Sequence, residues 1–252
     1  MGSMGSSRHM KRSAAPAFWK ISRKEGQFVM KPSPGPHPIN ESYSLATLLR
    51  DVLKVVKTMR DAQSAINSDK IIVDGVVRRD GKFPVGLMDV IKIPSMDKTF
   101  RLLPVKGSML YPVAVKGSML YPVVVDSESA KMKLCKVKSK VKARGNMFSY
   151  GLHDGRTIVS KEDIGINVDD SLLISIPDGK IVSKVKMEKG SLVIFLRGKA
   201  TGKLGVANKI LSGGLTSQKS VEVDVDGSTV KVPVRILLAV GVEKPVMSLG
   251  GE

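Results

Sequence analysis

Lys189-Gly190-Ser191-Leu192-Val193-Ile194-Phe195-Leu196-Arg197-Gly198-Lys199-Ala200-Thr201-Gly202-Lys203-Leu204-Gly205-Val206-Ala207 places two apolar runs around a loop of glycines and cations. The order predicts a strand, a bend and a second strand, with Arg197, Lys199 and Lys203 together on an exposed tip. Glycine accepts positive φ and lets another backbone, such as a phosphodiester chain, approach closely. Gly190, Gly198, Gly202 and Gly205 are the residues expected to shape that bend. The same residues also suit an ordinary glycine-rich hairpin.

Strand signals continue on both sides. Upstream, Asp178-Gly179 is placed to join Leu172–Ile176 to Ile181–Val185 as a hairpin. Downstream, Val221–Val225 alternates apolar and polar residues, turns at Asp226-Gly227 and returns as Val230–Val234, the period of a half-buried strand pair. The end, Gly241–Pro245, is expected to be extended.

Composition sets the class of partner. Lys and Arg outnumber Asp and Glu by 41 to 23 in 252 residues, a formal net charge of +18. Such an excess favours a polyanion, because neutralising phosphates releases their counterions. Nucleic acid and an anionic membrane are the two candidates. No apolar run approaches the length of about 18 residues needed to span a bilayer, and the first residues lack the apolar core of a secretory signal. One cysteine, Cys135, makes an intrachain disulfide framework impossible and suits a reducing cytoplasm. Aromatics are 4% against 42% hydrophobic residues, so the cores should be aliphatic and small. Charge is also clustered: residues 1–40 carry +6 and 94–145 carry +8, whereas 41–93 and 146–252 carry +2 each.

The first basic block, residues 1–40, has no helical or strand period. Pro32, Pro34, Pro36 and Pro38 fix φ at four positions. The expectation is an extended arm, unable to fold alone and ordered by a partner's surface. Arg8, His9, Lys11, Arg12 and Lys20 are its candidate phosphate contacts. Trp19 is a candidate to stack on a base or to anchor in a protein groove. Met-Gly-Ser and His-Met also have the look of a cloning scar.

Residues 41–94 read as two helices and a hairpin. Leu45, Leu48, Leu49, Val52, Leu53 and Val56 follow helical spacing, with Ser42 or Ser44 placed to cap them. A second helix is expected from about Arg60 to Asn67. Asp74-Gly75 then joins Ile71–Val73 to Val76-Val77. Arg50, Lys54, Lys57, Lys70, Arg78 and Arg79 supply the basic charge here, for which a solvated face is the plain reading.

Residues 95–175 hold the second basic block. A decapeptide beginning Pro104 is repeated from Ala114 to Val123 with only its first residue changed. Loop-closure entropy grows slowly with length, so such an insertion is tolerable at a strand boundary. Lys136, Lys138, Lys140 and Lys142 alternate as on one face of a strand, and Arg144 follows. A row of like charges repels itself, which an anionic partner would relieve; a disordered basic loop is the alternative. His153-Asp154-Gly155-Arg156 looks catalytic at first sight. Neighbouring residues on a strand face opposite ways, however, and Asp-Gly predicts a turn, so a structural turn is preferred.

The glycine spacing of 189–207 resembles the KOW motif, departing from it at Ser191, Phe195 and Ala207. Helix, helix and hairpin in the order of 41–94 resemble the S4 RNA-binding domain, and that resemblance implies Arg50, Lys54, Lys57, Lys70, Arg78 and Arg79 as candidate RNA contacts. A longer likeness joins them. Its parts are Arg8-His9-Met10-Lys11-Arg12, Ala15-Pro16 and Trp19, then Pro32-Ser33-Pro34-Gly35-Pro36-His37 and Leu48-Leu49-Arg50-Asp51-Val52-Leu53. Val73-Asp74-Gly75-Val76-Val77-Arg78, Pro84-Val85-Gly86-Leu87-Met88-Asp89-Val90-Ile91 and His153-Asp154-Gly155-Arg156-Thr157 complete it. Together they resemble the archaeal and eukaryotic small-subunit ribosomal protein family S4e, with an archaeal source expected.

That resemblance implies an α+β, multidomain chain. The implied order is a basic arm at 1–40, a helix-helix-hairpin S4-like domain at 41–94, a mostly β central domain at 95–175 and a KOW-type, SH3-like barrel at 176–252. It implies a structural constituent of the small ribosomal subunit that binds rRNA and neighbouring ribosomal proteins in the cytoplasm. No membrane, small-molecule substrate, metal or cofactor is expected. His9, His37, His153 and Cys135 have no zinc-site spacing, and neither a phosphate-binding loop nor a nucleophile elbow occurs. Two other readings stay open: an RNA-modifying enzyme carrying an S4 domain, of the pseudouridine-synthase kind, and a non-ribosomal KOW transcription or RNA-binding factor.

Overall fold

Three antiparallel five-stranded sheets dominate the structure, a computed structural model that describes residues 9–19, 21, 24, 26–105, 119–125, 128–198, 200–214 and 218–247. The chain is mostly β with few helices. The tandem decapeptide lies largely outside the described residues, as do Arg8, Lys20 and Lys199.

The first sheet runs Val76–Val77, Ile72–Val73, Val90–Ile93, Lys98–Val105, Met119–Val124 in spatial order. The Asp-Gly hairpin forms as expected, with Asp74 at φ 50° and Gly75 at φ 76°. Helix Met59–Asn67 begins in a capping box between Thr58 and Asp61. The preceding helix is shorter than its apolar spacing predicts. Leu45–Thr47 widens into a π-turn over Leu48–Val52 and stops before Lys54, whose φ of 53° is left-handed. Leu45, Leu48 and Leu49 are buried, while Val52, Leu53 and Val56 are only half-buried.

Described residues of the arm pack on the chain itself. Met10–Lys11 pairs with Phe28–Val29, and Phe18, Trp19 and Ile21 join the core of Tyr43, Leu45 and Leu49. The Trp19 indole stacks on Tyr43 at 6.0 Å and donates from Nε1 to the Ser42 carbonyl at 2.9 Å.

The second sheet runs Thr157–Ser160, Met147–Leu152, Met132–Ala143, Ser171–Ser175, Ile181–Val185. The third runs Ser228–Pro233, Ser220–Val225, Leu204–Leu211, Leu192–Phe195, Leu237–Gly241. A shared core takes residues from all three: Met88 and Leu103, Leu134 and Leu173, Ile194 and Leu238, closed by Met247.

Met132–Ala143 is the central strand. Its first half pairs with Ser171–Ser175 and its second half with Met147–Leu152, the register shifting between Val137 and Ser139. Residues 133 and 136 differ by an odd number, so their side chains leave opposite faces. Lys133 is fully buried, its Nζ lying 2.7 Å from Asp74, 2.5 Å from Asp89 and 3.2 Å from Asp154. Lys136 is 6% exposed and donates to the carbonyls of Val234 at 2.7 Å and Leu237 at 2.9 Å, with Asp169 at 3.0 Å. One ammonium thus fastens the first sheet and the other the third. Arg101 adds a further buried clip, its guanidinium bonded to the Ser129 and Met132 carbonyls at 2.6 Å and to the Met247 thioether.

His153-Asp154 forms the expected structural turn. His153 accepts at Nδ1 from the Lys136 amide at 3.2 Å and donates from Nε2 to the Leu87 carbonyl at 3.1 Å, which fixes the neutral tautomer. Burial, with Lys133 and His37 nearby, pushes its pKa down to about 3. Burial would raise the Asp89 carboxyl, but His37 and Lys133 beside it outweigh that and hold it well below the usual range. Burial likewise disfavours the Lys133 charge, yet Asp89 and Asp74 keep the ammonium above its ordinary value.

Two outcomes are expected. Lys133→Met removes the one cation shared by all three carboxylates, leaving Arg156 on only two of them, and should cost about 3–5 kcal/mol in urea unfolding at pH 7; an added Asp89→Asn change should recover part of it. His153 is neutral when folded, and its unfolded form takes up a proton below its ordinary 6.5. Its contribution is therefore complete above pH 6.5 and falls as pH drops toward 3, by up to about 1.4 kcal/mol per pH unit. His153→Gln should flatten stability between pH 6.5 and 4, leaving the carboxylate-driven fall below it; an unchanged profile rejects the assignment.

Candidate nucleic-acid interface

The glycine-cation tip forms between Leu192–Phe195 and Leu204–Leu211. Gly190, Gly198 and Gly202 have φ of 88°, 103° and 79°, which only glycine takes without strain. Gly205 serves a different purpose: a Cβ there would lie 2.5 Å from Val223 and 2.8 Å from the Asp224 carbonyl of the adjacent strand. Arg197 and Lys203 are exposed, Arg197 paired with Glu41 and Lys203 with Asp226. Both pairs are open to solvent, so a phosphate can replace either carboxylate at little cost.

A second group of cations lines the outer half of Met132–Ala143. Lys138 and Lys142 are exposed, and Arg144 is exposed in the turn beyond. Lys140 pairs with Asp163 at 2.7 Å, where the Tyr150 hydroxyl also donates at 2.7 Å. These two bonds hold the Asp163 carboxyl down at about 2. Lys140 and Lys142 each lie 5.7 Å from the Phe148 ring.

Lys136 is a correction. The alternation from 136 to 142 predicted one solvent-facing row, but the register shift after Val137 divides it. Lys136 points into the protein and is spent on carbonyls of the third sheet, so it cannot meet RNA. Burial holds its pKa below the usual value.

Around the first sheet, Lys54, Lys57 and Lys70 are exposed. Arg79 makes a bidentate pair with Asp69 at 2.6 Å, and half-buried Arg50 pairs with Asp51 at 2.8 Å. The Arg78 guanidinium lies over the Phe83 ring at 4.4 Å. In the arm, His9 and Lys11 are exposed, whereas Arg12 is turned onto the Ile21 carbonyl at 2.6 and 3.2 Å. Trp19 is 3% exposed, which removes base stacking and leaves the protein-groove anchor, the groove being its own chain's.

Sequence reasoning missed Arg156. Its Nε lies 3.2 Å from Asp154 and its terminal nitrogen 3.1 Å from Asp74, so it bridges the second sheet to the first while staying partly open. The signal was the Arg of His-Asp-Gly-Arg, read only as part of a turn. Among the described residues no group of His, Cys, Asp and Glu is arranged to hold a metal ion, and no helix is long and apolar enough to cross a membrane.

Comparison with known proteins gives the family. Residues 4–40 match the RS4NT (NUC023) domain, and residues 96–181 match the ribosomal family S4e. Small ribosomal subunit protein eS4 of Ignicoccus hospitalis is 38% identical, the alignment covering 97% of this chain and 96% of that protein. The eS4 of Methanothermobacter thermautotrophicus is 35% identical over 100% and 99%. The crystal structure of the 30S ribosomal protein S4e from Thermoplasma acidophilum superposes with a TM-score of 0.67 at 30% identity, over 81% of this chain and 96% of that one. By sequence along its whole length and by fold, the chain belongs to the S4e family of ribosomal proteins.

Proposed function

We propose that the protein is a structural constituent of the small ribosomal subunit in the cytoplasm, where it binds and stabilises rRNA and contacts neighbouring ribosomal proteins. Full-length similarity to eS4 proteins is the single observation that carries this reading. Its geometry supports the same role. Exposed cations sit on separate elements, which suits phosphate contacts spread over a folded RNA rather than one catalytic pocket.

Residues 41–94 act as an S4-like module, 95–175 as a central β domain and 176–252 as a KOW-type barrel whose tip carries Arg197, Lys199 and Lys203. The arm, 1–40, is a basic extension whose inner part is seated on the S4-like module. Lys11, Lys54, Lys57, Lys70, Lys138, Lys142 and Arg144 are the free-standing candidate contacts. Arg50, Arg79, Lys140, Arg197 and Lys203 would exchange a carboxylate for a phosphate. Enzymatic chemistry on RNA is not part of this role.

The test is binding to the small-subunit rRNA of the same organism across a salt series, beside sedimentation in a cell extract. The protein should travel with small subunits and leave only at high salt. Arg197→Ala, Lys199→Ala and Lys203→Ala together should weaken binding and lower the log–log salt slope by about 2, at roughly 0.7–0.9 per lost phosphate contact. Unchanged affinity and slope reject the tip's role; a chain that sediments free of subunits rejects the ribosomal one.

A further inference from the structure

A cleft of about 380 Å³ opens where the arm, the first sheet and the second sheet meet. Gly35 and Pro36 form one wall, Gly155 and Arg156 another, and Arg78 with Phe83 the third, over a floor of Lys133 and its carboxylates. It lies at the small end of the range for ligand sites, about 300–1,000 Å³.

The carboxylates in it are already occupied. Asp74 accepts from the Val90 amide at 3.0 Å, from Lys133 at 2.7 Å and from Arg156 at 3.1 Å. Asp89 accepts from the Gly86 amide at 2.8 Å and from Lys133, and is paired with His37 at 3.0 Å. Asp154 holds Lys133, the Arg156 amide and the Arg156 guanidinium. The donors are not balanced in the same way. Arg78 Nε is buried without a hydrogen-bond partner, and among the described residues its guanidinium makes no ion pair, only the contact with the Phe83 ring. A desolvated guanidinium donor with no acceptor is a cost that native proteins seldom retain without use.

We infer that this cleft receives one backbone phosphate of the bound RNA, gripped by Arg78 and by the open edge of Arg156. The inference rests on the rRNA-binding reading above and gives it a specific seat. The Phe83 ring backs the Arg78 guanidinium at 4.4 Å, and a guanidinium fork suits bidentate contact with a phosphate. Arg156 is anchored from behind by Asp74 and Asp154, so it is set before the ligand arrives. The carboxylates are already bonded to Lys133, Arg156 and backbone amides, which leaves none for a cation, and the chain's net charge of +18 favours RNA over an acidic protein segment.

The experiment leaves Arg156 intact, because it also braces the junction, and compares Arg78→Gln and Arg78→Lys with the parent chain. Affinity for the small-subunit rRNA is measured across a salt series, with phosphate-ethylation interference on the same RNA and melting temperature as the folding control. The glutamine variant should bind about tenfold more weakly, with the salt slope reduced by about one phosphate contact and melting unchanged; lysine should restore part of the affinity. One ethylated phosphate should impair the parent and not the glutamine variant. If the parent binds rRNA and Arg78→Gln matches it in affinity and slope, the seat is wrong while the RNA reading stands. If the parent does not bind rRNA, both fall. If polyglutamate, but neither RNA nor inorganic phosphate, shifts the Arg78 Nε resonance, the occupant is a protein carboxylate and the inference is overturned.

Discussion

Two buried ammonium groups on one strand hold this molecule in a single arrangement. Lys133 and Lys136 leave opposite faces of Met132–Ala143, and each reaches into a different neighbouring sheet. An ammonium taken out of water is tolerated only where acceptors surround it. Lys133 therefore needs Asp74 and Asp89 from the first sheet, and Lys136 needs the Val234 and Leu237 carbonyls beside the third. Apolar contacts alone would allow the sheets to slide. Directional bonds to a point charge fix their register.

That arrangement matters for a protein whose proposed partner is a large folded RNA. Phosphates in a folded RNA stand at set distances, so cations on separate modules must be held at matching ones. The exposed groups lie on elements that the shared core and the buried lysines tie together. Arg156 belongs to both parts of this design, bracing Asp74 and Asp154 on one side and facing a cleft on the other.

Local features were readable in the sequence, and long-range ones were not. The turns at Asp74-Gly75 and Asp226-Gly227 follow from residues that accept positive φ, a property contained in the dipeptide itself. The Thr58 to Asp61 capping box is equally local, yet the helix was expected only from about Arg60 and its cap went unread. The first helix was overestimated because apolar spacing persists through Val56, while the left-handed backbone at Lys54 ends it. Lys136 and Lys138 look alike in one dimension; only a bulge between them and a partner about a hundred residues away separate an internal fastener from a surface charge. The choice between the two roles open to Trp19 was undecidable for the same reason, since Tyr43 and Ser42 lie more than twenty residues further on.

The seating of Trp19 also gives the arm an optical signature. It is the chain's only tryptophan, enclosed by Tyr43 and bonded to a backbone carbonyl. Indole emission therefore comes from one place, apart from that of the four tyrosines. An indole in that enclosed setting emits at shorter wavelength than one in water, so any loosening of the arm from this seat would register as a red shift, without an attached dye.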